Sequence, residues 1–195
     1  MNVSVAVISD LHIGSGAKSK DFSLAGTDAA IDDYLTEFRK FVATEGITAD
    51  YLLVPGDITN SACKPEFELA SERISQIATC LQVSESKILF CPGNHDVDWA
   101  TIKALGGLNH TESQIIKSKY FNFLDGGVFN RNLAMAKGRF DESPYLVAWE
   151  FDDVLVCGLN TSVFDGPDKK PHCGEVRPDQ LIEIDRFLAG LGRSD

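Results

Sequence analysis

Short apolar runs alternate with longer stretches in which apolar residues recur at helical spacing. VSVAVIS, at 3–9, is rich in β-branched residues and reads as a first strand. The stretch GSGAKSKDFSLAG that follows is polar and reads as a flexible loop. Ile31, Tyr34, Leu35, Phe38, Phe41 and Val42 then share one face of a helix. YLLV, at 51–54, is a second, buried strand, ended by Pro55, Gly56 and Asp57. Between 65 and 81, Phe67, Leu69, Ala70, Ile74, Ile77, Ala78 and Leu81 predict another amphipathic helix, and KILFC, at 87–91, predicts a third strand.

From 98 to 140 the pattern is helical and irregular, broken by LDGG at 124–127. YLVAWEFDDVLVCGLN predicts two strands joined by a tight turn at Asp152 and Asp153. Leu181, Ile184, Phe187 and Leu188 predict a closing helix over 178–191, with Pro178 in its first turn. Strand, helix, strand, helix, strand is the rhythm of an α/β sheet with parallel neighbours. Ligands of such sheets collect beyond the carboxyl ends of the strands. Three polar segments are therefore expected to share one crevice: SDLH after the first strand, GDITN after the second and GNHD after the third.

The chain has 195 residues, enough for one domain with a substantial core, and no internal repeat or low-complexity linker divides it. Its net charge of −11 argues against a basic nucleic-acid surface. An anionic substrate stays open, because bound divalent cations reverse the local field in a carboxylate-lined cleft. Five cysteines without a CxxC pair suit a reducing cytoplasm, and Cys91 and Cys157 read as small buried hydrophobes within strands. There is no basic-flanked leader and no apolar run of membrane-spanning length, so no membrane partner is expected. The NHT and NTS triplets at Asn109 and Asn160 then read as chance matches to a glycosylation pattern.

In an extended segment, residues two apart project to one side, so Asp10 and His12 are expected to grip one cation together. A carboxylate oxygen and an imidazole nitrogen suit Mn, Fe or Zn. Gly56 permits the tight turn that turns Asp57 into the crevice, where its two oxygens can bridge two metals. Asn94 offers a neutral carbonyl ligand. His95 beside it can give a proton to a leaving alkoxide. Asp96 either orients His95 or bonds the turn backbone, and Asp98 reads as the cap of a helix starting at Trp99. Each segment alone is ordinary turn chemistry; their order at three successive strand ends points to hydrolysis at phosphorus by two metals about 3.5–4 Å apart.

DLH, GDITN and GNHD in this order resemble the first three signature blocks of the calcineurin-like metallophosphoesterases. VCGLNTS, followed by GEVRPDQLIEIDRFL, resembles the same family, so the likeness runs over essentially all of 1–195 as a single phosphoesterase domain. It implies an α/β fold in which helices flank a β-sandwich (αββα). It also implies two divalent metal ions, with Asp10 and His12 on one, Asp57 bridging and Asn94 on the second. His95 would be the catalytic histidine, with Thr161 and Ser162 close behind the site.

The phosphoprotein-phosphatase branch carries a second acid and an arginine where this chain has Asn60 and Ser61. The expectation therefore tilts towards phosphodiesterases and nucleases, acting on a cyclic nucleotide or nucleic acid. The family completes its site with a histidine after the last helix and a Gly-His-x-His segment. Here the histidines are only His12, His95, His110 and His172. His110 reads as solvated, and His172 precedes the final helix. The fold is accordingly expected to be incomplete at its C-terminus, the chain being a piece of a longer enzyme with an additional C-terminal region. The alternative is a degenerate, non-catalytic interaction or sensor domain.

Overall fold

The computed structural model describes residues 2–14, 33–105, 119–125, 129, 131, 132, 136, 145–151, 154–165 and 173–191. Its centre is a three-stranded parallel sheet in the order β1 (Val5–Val7), β2 (Tyr51–Pro55), β3 (Ile88–Cys91). The register pairs Val5 with Tyr51 and Leu52 with Ile88. β3 is buried along its whole length, as a continuous apolar run covered on both faces must be. A second sheet is the antiparallel pair β4 (Leu146–Phe151) and β5 (Val154–Leu159), with Phe151 opposite Val154. Asp152 and Asp153, where the tight turn is expected, lie outside the described residues. The mixed α/β class with a parallel sheet and flanking helices is the one read from the sequence.

Helix α1 (Asp33–Glu45) buries Val42 and half-buries Leu35 and Phe38, whereas Phe41 is 56% exposed. At 100° per residue, position 41 falls at the margin of the stripe that 35, 38 and 42 define. Helix α2 (Lys64–Cys80) opens with Pro65 in its first turn and buries Phe67, Ala70, Ile74, Ile77 and Ala78. Glu66 is buried with them, which the apolar pattern did not anticipate. The 98–140 stretch contributes α3 (Trp99–Leu105) and α4 (Phe121–Asp125) among its described residues. Asp98 caps α3 as expected: its Oδ1 accepts the N–H of Thr101 at 2.9 Å.

The core sits behind β3. Phe90 meets Phe129, Phe123 and Trp149 edge-on, at centroid separations of 4.7, 5.7 and 6.1 Å. Glycine is needed on β5 because a Cβ at Gly158 would come within 3.1 Å of the Cys91 Cβ on β3. β5 is covered on one face only, so Leu155 and Leu159 are exposed. Cys157 shares their face and is exposed too, against the reading of it as a buried hydrophobe. Cys91 is buried as expected, and desolvation, helped by the Asp96 charge, pushes its thiol up to about 12. In α5 (Pro178–Leu191), Ile184 and Phe187 are half-buried while Leu181 and Leu188 stay exposed, and the amide of Gln180 is buried. Among the described residues, no helix is long and apolar enough to cross a membrane.

Candidate metal centre

Pairing continues past the ends of β1 and β2 and draws the DLH and GD segments together. Asp10 N–H donates to the Gly56 carbonyl (3.3 Å), His12 N–H to Asp57 (2.9 Å) and Ile13 N–H to Ile58 (3.0 Å). Asn60 N–H returns a bond to the Ile13 carbonyl at 3.0 Å. Leu11 and Ile13 point into the core, which leaves Asp10 and His12 towards the crevice. The segment is not extended at these positions. Asp10, His12 and Asp57 lie in the left-handed region, at φ 57°, 44° and 48°. Such backbone costs an L-residue on the order of 1–3 kcal/mol and persists where its surroundings enforce it.

Asp96 joins the second segment to the third. One oxygen accepts the N–H groups of Ile58 (3.1 Å) and Gly93 (2.9 Å); the other accepts the N–H (2.8 Å) and hydroxyl (2.9 Å) of Thr59. Of the two roles open to it in the sequence, Asp96 takes that of bonding turn backbone. Burial pushes its carboxyl up to about 6, and the four donors oppose that rise. The turns are closely packed. A Cβ at Gly93 would fall onto the backbone nitrogen and Oδ1 of Asp57, and one at Gly56 would lie 3.1 Å from the Gly93 Cα. Gly56 itself adopts φ 93°, as the tight turn requires.

The result is a convergent group. His12, Asp57 and His95 each bring a ligand atom within 4.8 Å of the others, all three half-buried. Asp57 Oδ2 lies 3.9 Å from His12 Nε2, its Oδ1 accepts the His95 N–H at 3.1 Å, and the two imidazoles meet edge-on at 4.6 Å. Two imidazole nitrogens and a carboxylate oxygen form a donor set suited to Mn, Fe or Zn, so the residues present fit a divalent ion. Asp10 is not one of the three. It lines a cavity of about 140 Å³ together with Asp57, Asn94, Thr161, Ser162 and Cys173. Asp57 is thus common to the imidazole group and the polar cavity. His110 and His172 lie outside the described residues.

Several contributors carried little signal in the sequence. His95 Nδ1 lies 2.9 Å from the main-chain carbonyl of Asn60, which can only accept, so Nδ1 carries a proton and Nε2 is left for chemistry. A main-chain acceptor has no side-chain signature. Glu66 holds the next residue, taking the N–H and hydroxyl of Ser61 at 2.8 and 2.9 Å. An acid in the first turn of the predicted helix was the available sign. Cys173 was not anticipated in the cavity wall. Its segment is docked by the Glu175 N–H on the Thr161 carbonyl (2.9 Å), and a Cβ at Gly174 would approach Thr161 Oγ1 to 2.9 Å. The 160–162 turn is itself held from behind: Gln180 donates to the Asn160 carbonyl at 3.1 Å, and Tyr120 bonds Ser162 at 3.2 Å.

The family profile described as calcineurin-like phosphoesterase matches residues 3–182. The chain belongs to the calcineurin-like phosphoesterase family, whose members are typically metal-dependent phosphoester hydrolases. None of the curated proteins compared with the chain matches it.

Proposed function

We propose that the protein hydrolyses a phosphodiester at a centre of two divalent ions, of Mn, Fe or Zn character. The observation that carries this reading is the convergence of His12, Asp57 and His95 beside a polar cavity lined by Asp10 and Asn94. Bound ions would supply polarisation of the phosphoryl oxygens and the activated water. Asp10, His12, Asp57 and Asn94 would hold the ions, with His12 and Asp57 already converged and Asp10 and Asn94 in the adjoining cavity wall. Water would attack phosphorus, the ester P–O bond would break, and the leaving oxygen would take its proton from Nε2 of a His95 ring protonated on both nitrogens, with Nδ1–H kept on the Asn60 carbonyl. The Asn60 carbonyl supports this role by engaging the opposite ring nitrogen. The free thiols support a cytoplasmic setting.

The test is hydrolysis of bis-p-nitrophenyl phosphate with added manganese. Asp57→Asn and His95→Ala should each lower kcat by about 10²-fold or more. Rates equal to wild type in both variants would remove the reading.

A further inference from the structure

His95 borders a second cavity of different character. It measures about 210 Å³, and Asn60, Asn94, His95, Val97, Trp99 and Ala100 line it. Asn94 lines the polar cavity as well, so the two cavities meet at Asn94. The wall beyond His95 is mostly apolar, with Val97 buried, Trp99 half-buried against the core and Ala100 exposed on α3. The Asp98 cap fixes the start of α3, so Trp99 belongs to a held surface rather than a loose one.

Resting on the hydrolase reading above, we propose that this cavity receives the leaving alcohol, and that the substrate is a small phosphodiester whose leaving alcohol carries a flat aromatic ring packed against Trp99. The cleavage geometry requires it. The proton donor must lie beside the oxygen that departs, so the departing half is on the side of His95. The phosphoryl half needs polar donors and cations, which the Asp10 and Asp57 side supplies. An apolar wall rewards an apolar, planar occupant, and stacking on an aromatic side chain tolerates any ring with a π-face. At about 210 Å³ the cavity is below the usual ligand-pocket range of roughly 300–1,000 Å³, which favours a single ring system. The net charge of −11 further disfavours a polyanionic chain. On cleavage the ester P–O bond breaks, the phosphorus keeps the water oxygen, and the alcohol leaves with the proton from His95.

The experiment compares three phosphodiesters whose leaving alcohol is ethanol, phenol or a nucleoside, with manganese added. Trp99→Ala removes the wall; Ala100→Phe fills the cavity from an exposed helix position and guards against misfolding of the first variant. Calorimetric titration of adenosine, p-nitrophenol and inorganic phosphate into the same proteins gives a readout independent of turnover. The proposal expects the phenol-to-ethanol and nucleoside-to-ethanol ratios of kcat/KM to fall about tenfold in both variants. Binding of the two alcohols should weaken comparably, and phosphate affinity should stay within twofold. A larger fall in the nucleoside arm identifies a nucleoside leaving group; a larger fall in the phenol arm identifies a simple aryl ester. Unchanged ratios, or three esters falling together, overturn the cavity proposal and leave the hydrolase standing. A wild type no faster than Asp57→Asn on any ester overturns the hydrolase reading and this proposal with it.

Discussion

At the scale of single residues, Asp10, His12 and Asp57 carry both a functional group and a left-handed backbone. Their identities were legible in the sequence because acid, imidazole and glycine sit at suggestive spacings. Their backbone state was not, since Asp and His are enriched at positive φ yet adopt it in only a small minority of positions. The strain separates from the chemistry by comparing two truncations of one side chain. Asp10→Gly and Asp10→Ala both delete the carboxylate, but only glycine accepts φ 57° without a Cβ penalty. The glycine variant is expected to be the more stable by about 1 kcal/mol in urea denaturation. Alanine equal to glycine or better would show that position 10 stores no strain.

At the scale of elements, the apolar pattern located β2, β3 and α2 well because their buried faces are long and regular. It was weaker where an element is held by polar groups. Ser4 and Asp50 clasp the approaches to β1 and β2: the N–H (2.8 Å) and hydroxyl (2.7 Å) of Ser4 donate to Asp50. These bonds, backbone first, hold the Asp50 carboxyl below its ordinary range, and the unfolded chain lacks them. The folded state therefore binds fewer protons, and the clasp stabilises it above the usual aspartate range. That contribution disappears as pH falls through the lowered native value. Denaturation midpoints of wild type and Asp50→Ala are expected to differ at pH 7 and to converge towards pH 2. A difference that persists at low pH would mean the carboxylate is not the source. α5 gives a second case, since among its described side chains the buried one is Gln180, between the Arg177 N–H (2.9 Å) and the Asn160 carbonyl. Gln180→Ala leaves that buried carbonyl without its donor and is expected to cost about 1–3 kcal/mol in urea denaturation. A loss below about 0.5 kcal/mol would mean that the apolar side chains, not the amide, hold the helix.

At the scale of the whole molecule, the site exists only because three distant segments are fastened together, and the fasteners are mostly backbone groups. The sequence announced the three segments, the crevice they share and a backbone-bonding role open to Asp96; it left silent which donors Asp96 would bind, the Asn60 carbonyl on His95 and the arrival of the 173–175 segment. Those features depend on pairs far apart in sequence and on atoms every residue possesses. Because the ligand atoms of His12, Asp57 and His95 converge only in the folded chain, metal binding must stabilise folding by mass action. At a free metal concentration about 100 times the dissociation constant, the gain is about 2.7 kcal/mol. For a chain of this size that raises the thermal midpoint by roughly 5–10 °C. Manganese or zinc added to chelator-treated protein is expected to produce such a shift in differential scanning calorimetry. Asp57→Asn should abolish most of it, because Asp57 supplies the carboxylate oxygen of the group. A wild type whose midpoint does not move, or a variant that moves as far, would mean that the converging side chains do not hold an ion.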